Sequence, residues 1–231
     1  MKTIFGVFAL ILLLFSCSKD HNQMTLSGSV KGLKKGVLLL QKANDSAIIT
    51  IDSVKINDDE TFTFTAEVKE PEIYYLGLKL GNTPAKEYIA FFAEPSGITI
   101  NTTLKNFESD AVILGSKNQD KLQEYNKIVE RYSNNNLELI KKSFLAKKEG
   151  NDSLYQVLQK QQQRNMLGRY LATVNFAVQN NNYELAPFLM LSQANNTQNK
   201  YLDTVYKSLT PKIKNSKYGK ALESLLKGKK N

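Results

Sequence analysis

The sequence predicts an α+β protein in which an antiparallel β-sandwich or barrel-like domain is followed by a helical region. Residues 24–114 contain short runs of β-branched and aromatic residues separated by turn residues, a pattern typical of strands. After Gly115 the apolar residues recur every three or four positions, which is typical of helices. We therefore expect two regions, a β domain over residues 24–114 and a helical region over residues 115–227.

The chain begins with the layout of a secretory signal. Lys2 gives a positive start, and an apolar run extends from Ile4 to Phe15, ahead of the small residue Ser16 and Cys17. This run is shorter than the roughly 20 apolar residues that a membrane-spanning helix needs. We therefore expect export, with an uncleaved anchor or an ordinary signal peptide that contains a cysteine as the alternatives.

The sequence around the cysteine resembles the bacterial lipobox. Leu14-Phe15-Ser16-Cys17 has the Leu-x-Ser-Cys spacing of that motif. The resemblance implies a signal peptide over residues 1–16, lipid attachment to Cys17 and a linker over residues 17–23. The acyl chains of such a lipoprotein would hold the domain firmly on the membrane. Ser18 after the cysteine, in place of Asp, implies sorting to the outer membrane.

Seven strands are expected between residues 24 and 114. The clearest is Thr61 to Val68, in which Phe62, Phe64 and two further apolar residues alternate with Thr and Glu, as a half-buried strand requires. Turn residues separate the runs at the spacing of an antiparallel sandwich or barrel. The other expected strands are Met24–Lys31, Val37–Gln41, Ala47–Ile56, Ile73–Leu80, Tyr88–Ala93 and Ile98–Thr103.

Apolar residues at helical spacing predict helices ahead of a basic tail over residues 228–231. Ser116 and Gln119 have the spacing of a capping box, and Ser153 and Gln156 repeat it before the longest helix. The asparagine runs 134–136 and 180–182 are expected to be loops. The stripes expected to form the core are Leu122, Tyr125, Val129 and Tyr132; Leu137, Ile140 and Phe144, in a short helix ended by Gly150; Leu154, Val157, Leu158, Leu167, Tyr170, Leu171, Val174 and Val178, in a helix over about residues 154–180; Phe188, Leu189 and Leu191, after Pro187; Leu202, Val205, Tyr206 and Leu209; and Tyr218, Leu222, Leu225 and Leu226.

Cysteine and histidine each occur once, as Cys17 and His21. If Cys17 carries lipid, the mature chain can form no disulfide, and His21 lies in the linker. A Ser/His/Asp or Cys/His triad, a His or Cys metal cluster and a Cys-x-x-Cys redox pair each need residues that the sequence does not supply. We therefore expect no enzymatic activity, no cofactor and no metal site.

The positive charge is concentrated in the helical region. Of a net charge of +9, residues 24–114 contribute 9 Lys against 12 acidic residues, and residues 115–231 contribute 20 Lys or Arg against 9 acidic residues. A basic helical surface can attract anionic headgroups, an acidic polymer or an acidic protein, or it can simply keep the protein solvated. Nucleic acid is not an expected partner, because the basic residues are mostly lysines without Arg clusters or an aromatic platform.

Several short motifs resemble one family. They are Ile51-Asp52-Ser53-Val54-Lys55, Phe62-Thr63-Phe64, Gly115-Ser116-Lys117-Asn118-Gln119, Leu209-Thr210-Pro211 and Ser216-Lys217-Tyr218-Gly219. Over about residues 24–227 the chain resembles the N-terminal region of Bacteroidota-type thiol:disulfide interchange lipoproteins, a β domain of unknown function (DUF4369) followed by helices. In the full-length relatives a thioredoxin-like domain follows. We expect this chain to carry the accessory region without that domain, so the resemblance implies no catalytic residue.

Three smaller features have both a structural and a functional interpretation. Asp58-Asp59-Glu60 is expected to be an exposed hairpin turn, with a calcium site as the alternative. The aromatic residues of two strands can fill a core or line a ligand groove; they are Tyr74, Tyr75, Tyr88, Phe91 and Phe92. Four triplets resemble O-glycan attachment sites and also fit caps and turns; they are Asp45-Ser46-Ala47, Asp52-Ser53-Val54, Asp152-Ser153-Leu154 and Asp203-Thr204-Val205.

The favoured hypothesis is a lipid-anchored, non-catalytic interaction module of the cell envelope that binds an envelope protein or an acidic polymer. Its membrane contact would be the lipid on Cys17, at the outer membrane, with the periplasmic side favoured over the cell surface. An accessory protein that docks a separate thioredoxin-like partner is the alternative. A third hypothesis, an enzyme that uses only carboxylates such as Glu87 or Glu94, has no support in their spacing.

Overall fold

Eight strands followed by six helices make up the part of the chain that the computed structural model describes, residues 22–44, 47–81, 83–193 and 198–228. Cys17, His21, Asp45, Ser46 and the tail beyond residue 228 lie outside these ranges. The elements are β1 (Gln23–Lys31), β2 (Lys35–Asn44), β3 (Ala47–Asn57), β4 (Thr61–Glu67), β5 (Glu72–Lys79), β6 (Glu87–Ala93), β7 (Gly97–Thr103), β8 (Val112–Leu114), α1 (Lys117–Lys148), α2 (Asp152–Gln179), α3 (Leu185–Ser192), α4 (Asn199–Ser208), α5 (Pro211–Lys214) and α6 (Lys217–Gly228).

The strands form two four-stranded sheets that enclose one hydrophobic core. The first sheet has the strand order β4-β1-β7-β8 and the second the order β3-β2-β5-β6. Leu26 and Phe64 from the first sheet meet Leu40 and Leu76 from the second in that core. The predicted α+β class is therefore confirmed in its sandwich form, and the described strands do not close into a barrel.

One strand pair departs from the expected antiparallel arrangement. β1 and β7 run parallel, with Leu26 opposite Ile98. The reason is the order of the strands, because β6 lies in the other sheet and β7 returns to β1 by a crossover rather than a hairpin. The seven predicted strands are all present, and β4 alternates buried and exposed residues as predicted. The three-residue β8 was not predicted, since it is too short to show a period.

The predicted break in the first helix is wrong. α1 runs without interruption from Lys117 to Lys148, through the asparagine run that was expected to be a loop. Asn135 Nδ2 donates to Asn165 Oδ1 of α2 at 2.8 Å, and Asn165 Nδ2 donates to the Tyr132 carbonyl at 2.8 Å. These bonds between the helices satisfy polar side chains that would otherwise favour a turn, so tertiary contacts override local propensity.

The predicted capping box at Ser153 is also wrong. The N-cap of α2 is Asn151, whose Oδ1 accepts a hydrogen bond from the backbone N–H of Leu154 at 3.0 Å. Ser153 lies inside the first turn. Asn caps a helix about as well as Ser, and Asn151 directly follows Gly150, which ends the preceding helical segment with a φ of 70°.

The helices form an antiparallel hairpin and a smaller bundle. α1 and α2 pack along each other, and at 1.5 Å per residue α1 is about 48 Å long. The second half of α2 packs with α3 to α6 around a separate core that includes Val174, Met190, Leu202 and Leu222. Among the described residues, no helix is both long enough and apolar enough to cross a membrane.

Replacement of Gly28 tests the close contact between β1 and β7. A Cβ atom at Gly28 would lie 1.8 Å from the carbonyl oxygen of Ile100, its partner in the parallel pair, whereas a Cβ at Gly97 meets nothing within 4 Å. We expect Gly28→Ala to lower the free energy of unfolding by about 3 kcal/mol, since the strands must separate. Urea unfolding measures this. Gly97→Ala is the matched control, and equal effects of the two substitutions would contradict the proposed contact.

Candidate functional site

A cleft of about 580 Å³ lies where the sandwich meets the helices. Its lining includes Asn22, which directly precedes β1, and Glu94, which directly follows β6. The helical region contributes Lys117, Glu184 and Lys212. The cleft is therefore built by both regions, and two of the carboxylates that line it, Glu94 and Glu184, are buried.

Glu94 holds the start of α1 against the sandwich. Its Oε1 accepts a short hydrogen bond from the backbone N–H of Lys117, and its Oε2 accepts one from Asn118 Nδ2 at 3.1 Å. A carboxylate is favourable at a helix N-terminus, because the first N–H groups have no partner within the helix. The burial of Glu94 is thus compensated by two donors from α1.

Asn118 connects three elements through one side chain. Besides Glu94, its Nδ2 donates to Glu184 Oε2 at 3.0 Å, and its Oδ1 accepts from the backbone N–H of Leu185 at 2.9 Å. Glu184 precedes α3 and lies 4.0 Å from Lys212 Nζ. Asn118 therefore fixes the end of β6 and the starts of α1 and α3 relative to one another.

The predicted capping box at Ser116 is half correct. Ser116 is the N-cap of α1, and its Oγ accepts from the Gln119 backbone N–H at 3.1 Å. The side chain of Gln119 does not complete the box. Its Oε1 instead accepts from the Phe92 backbone N–H at 3.0 Å, so it adds another bond between β6 and α1.

A second contact joins α6 to β5. The backbone N–H of Lys217 donates to Glu70 Oε2 at 2.7 Å, and the backbone N–H of Ile73 donates to the Tyr218 hydroxyl oxygen at 2.9 Å. Burial, together with the negative charges of Glu72 and Glu70, raises the pKa of Tyr218 to about 12, although the Ile73 hydrogen bond acts in the opposite direction. Tyr218 also packs against Phe92, with ring centroids 6.4 Å apart.

The carboxylates considered for catalysis do not come together. Glu87 begins β6 and is exposed, whereas Glu94 follows the end of the same strand. At about 3.4 Å per residue, this places them roughly 24 Å apart along the strand. Retaining and inverting glycosidases need separations below about 10 Å. Glu94 shares its surroundings with Glu184 instead, a residue that the sequence analysis did not single out.

Three of the five predicted aromatic residues, Tyr74, Phe91 and Phe92, fill cores rather than one groove. Tyr74 and Phe91 lie in the sandwich core with ring centroids 6.4 Å apart, and burial, aided by Glu72 and Glu67, raises the pKa of Tyr74 to about 12. Phe92 points to the other side, where it packs against Phe188 at 5.4 Å. Phe92 is therefore the main apolar contact of the sandwich with the helices. Tyr75 and Tyr88 are half-buried.

The acidic turn at residues 58–60 has a structural role. Asp58 has a φ of 66°, and Asp59 Oδ1 accepts from the backbone N–H of Thr61 at 3.0 Å and from its hydroxyl at 2.8 Å. These two bonds hold the pKa of Asp59 below its usual value. The turn connects β3 and β4, which lie in different sheets, so it is not the predicted hairpin turn. Within the described ranges, no cluster of three acidic, His or Cys residues could hold a metal ion.

The described parts of the Asp-Ser/Thr triplets have local hydrogen bonds or ion pairs. Asp52 Oδ1 accepts from the Ser53 backbone N–H at 2.7 Å, Asp152 pairs with Lys147 at 3.1 Å, and Asp203 pairs with Lys207 at 2.6 Å. O-glycosylation of these sites stays a prediction. Asp45 and Ser46 of the first triplet lie outside the described residues, as do Cys17 and His21.

One predicted core stripe lies on the surface. Leu137, Ile140 and Phe144 share a face of α1, and their exposed fractions are 64%, 48% and 69%. The face that packs on α2 is instead formed by Leu139, Ser143 and Ala146, so the expectation that Leu137, Ile140 and Phe144 form core is wrong. Leu154, Val157 and Leu167 of α2 are exposed as well. Helical spacing identifies an apolar stripe but does not show whether another element covers it.

Replacement of Asn118 tests the connection between the two buried carboxylates. We expect Asn118→Asp to lower the free energy of unfolding by about 3 kcal/mol at pH 7, because the introduced carboxyl faces Glu94 and Glu184 and cannot donate to either. Repulsion raises the pKa of that carboxyl in the folded state, so the loss should disappear as the pH falls below about 4. Chemical unfolding across pH 3.5–8 measures this. Asn126→Asp, on the exposed side of α1, is the control, and a similar loss there would contradict the assignment.

Replacement of Tyr218 tests its hydrogen bond with Ile73. Because the folded-state pKa is about 12, above the ordinary value of 10.0, the unfolded chain loses this proton first, and stability falls as the pH rises from 10 to 12. Tyr218→Phe should cost about 1 kcal/mol at neutral pH and should reduce that alkaline loss. Part of the alkaline loss of stability should remain in the variant, because burial also raises the pKa of Tyr74 to about 12. Unfolding at pH 8 and 11 measures both effects, and an unchanged alkaline slope would contradict this role for Tyr218.

Residues 24–122 match the family described as a domain of unknown function, DUF4369. The match spans all eight strands from Met24 onward and the first turns of α1, and therefore includes Glu94, Ser116, Asn118 and Gln119. No curated protein and no solved structure matches the chain. The match thus covers the sandwich and its junction with α1 and does not extend to the rest of the helical region.

Proposed function

We propose that the protein is a non-catalytic interaction module, held in the cell envelope by a lipid on Cys17, that binds another envelope protein. The observation that carries this proposal is the exposed apolar face of α1 formed by Leu137, Ile140 and Phe144, here called the hairpin face. Large apolar side chains that are aligned on a rigid helix and exposed to solvent are typical of an interaction site.

The charge around the hairpin face favours an acidic partner. Residues 137–164, which form the distal half of the hairpin, contain six basic and three acidic residues, a net charge of +3. A second copy of the same hairpin would bring like charges together. A partner with an apolar pocket and an acidic rim would match both properties of the surface.

The arrangement in the cleft supports a binding role over a catalytic one. The carboxylates of Glu94 and Glu184 accept hydrogen bonds from Lys117 and Asn118, which hold the helices on the sandwich. A general acid or base instead needs a carboxylate that is within reach of a substrate proton. We therefore assign these two groups to the assembly of the domain.

An accessory role in redox traffic is the second candidate. The match of residues 24–122 to DUF4369 is compatible with the resemblance to the N-terminal region of thiol:disulfide interchange lipoproteins. In this version the hairpin face binds a separate thioredoxin-like protein. Both versions place the lipid on Cys17 in the outer membrane, with the domain on the periplasmic side.

A crosslinking pull-down from native envelopes tests the proposal. The full-length protein should recover a reproducible partner, and Leu137→Ser combined with Phe144→Ser should reduce recovery at least tenfold, since truncation of a central contact costs about 2 kcal/mol or more. Leu114→Ser is the matched control, because Leu114 is 56% exposed but lies on β8. Cys17→Ser removes the lipid acceptor, so metabolic labelling with palmitate should mark the full-length protein and not this variant.

Each outcome of the pull-down has a definite meaning. Recovery that depends on Leu137 and Phe144 supports an interaction module, and a thioredoxin-like partner would select the redox version. Equal recovery by the double variant and Leu114→Ser contradicts the hairpin face as the binding surface. Equal palmitate labelling of Cys17→Ser and of the unmodified protein contradicts the lipid anchor.

A further inference from the structure

The lysines around the cleft lie near the N-terminal end of the described residues. Lys69, Lys117 and Lys212, here called the lysine rim, line the cleft together with Asn22, the first described residue. The Asn22 carbonyl accepts from the Val68 backbone N–H at 2.7 Å, which fixes the point of exit beside Lys69. All three lysines are exposed.

Two of the three carboxylates that line the cleft lie inside the fold. Glu94 and Glu184 are almost completely buried and bound to Asn118, and Glu70 accepts from the Lys217 backbone N–H. The side chains of Lys69 and Lys117 form no ion pair with any described residue. Lys212 Nζ lies 4.0 Å from Glu184 and is 84% exposed. Among the described lining residues, three exposed lysines therefore face one half-exposed carboxylate, Glu70, at the mouth of the cleft.

The distance to the anchor is short. Asn22 is the fifth residue after Cys17, and five residue steps span at most about 18 Å when fully extended. A lipid on Cys17 would thus hold the lysine rim within reach of the headgroup layer. The hairpin face is remote from it, because Phe144 lies about 40 Å along α1 from Lys117.

We infer that the lysine rim binds the phosphate groups of anionic lipid headgroups, so that the cleft faces the bilayer and the hairpin face remains available to a protein. This inference rests on the lipid anchor of the proposed function. Each lysine close to an anionic membrane adds a favourable, salt-sensitive attraction. The rim would therefore orient a domain that the acyl chains alone leave free to rotate.

Vesicle sedimentation of residues 18–231 tests the inference without the anchor, and this segment retains every described element. Binding to phosphatidylglycerol/phosphatidylcholine vesicles at 50 mM salt should exceed binding to phosphatidylcholine vesicles and should be lost at 500 mM salt. Replacement of Lys69, Lys117 and Lys212 by Gln should weaken binding roughly fivefold for each lysine. The matched control replaces Lys141, Lys142 and Lys148 of the hairpin by Gln and should change binding less than twofold.

Three results would overturn the inference. Equal losses in the two triple variants would show attraction by general positive charge. Equal binding to both kinds of vesicle would remove the role of anionic headgroups. Competition by millimolar inorganic phosphate at constant ionic strength would identify a site for free phosphate instead. Thermal unfolding verifies that the variants fold, and the salt dependence of the unmodified protein needs no variant. The pull-down with the hairpin variants is independent of all these results.

Discussion

The structure depends on the Asn118 side chain, because it is the partner of two buried carboxylates. An ionised carboxylate that is buried without donors is strongly destabilising. Asn118 donates to both Glu94 and Glu184 and also accepts from the start of α3. Since these groups belong to β6, α1 and α3, the bonds can all form only in one relative position of the sandwich and the helices. The polar network therefore sets the direction in which the long hairpin leaves the sandwich.

The apolar contacts beside this network bury surface between the sandwich and the helices but do not fix the orientation of the helices. Phe92, Phe188 and Tyr218 pack edge to face or tilted, with centroid distances between 5.3 and 6.4 Å. Such rings contribute most of the buried surface at a junction, but they tolerate rotation and sliding. Directional hydrogen bonds remove that freedom. Helix α1 can consequently project far beyond the sandwich while its first turn stays fixed.

Local patterns predicted the strands well because their period is short, as β4 shows with Phe62 and Phe64 buried between exposed threonines. Local patterns gave wrong predictions where a residue that is distant in the sequence determines the local structure. The asparagine run in α1 is helical because Asn135 bonds to Asn165 on the next helix. The sequence marked Glu94 only as a carboxylate near aromatic residues. Its partner Asn118 lies 24 positions later in the chain, and Glu184, the other carboxylate that Asn118 binds, lies 66 positions after Asn118. Nothing in the spacing of these residues connects them before the fold is known.

The length of α1 separates two surfaces of different chemistry. Electrostatic attraction to a membrane decays over about 8 Å at physiological ionic strength. Lysines beside the proposed anchor would experience this attraction, whereas those on the distal hairpin, roughly 36 to 46 Å further along the helix, would not. In the proposed function, the hairpin lysines would therefore act in protein recognition, around apolar side chains that the fold leaves uncovered. A shorter hairpin would place both surfaces in the headgroup layer, where Leu137 and Phe144 would bind lipid and could no longer select a protein.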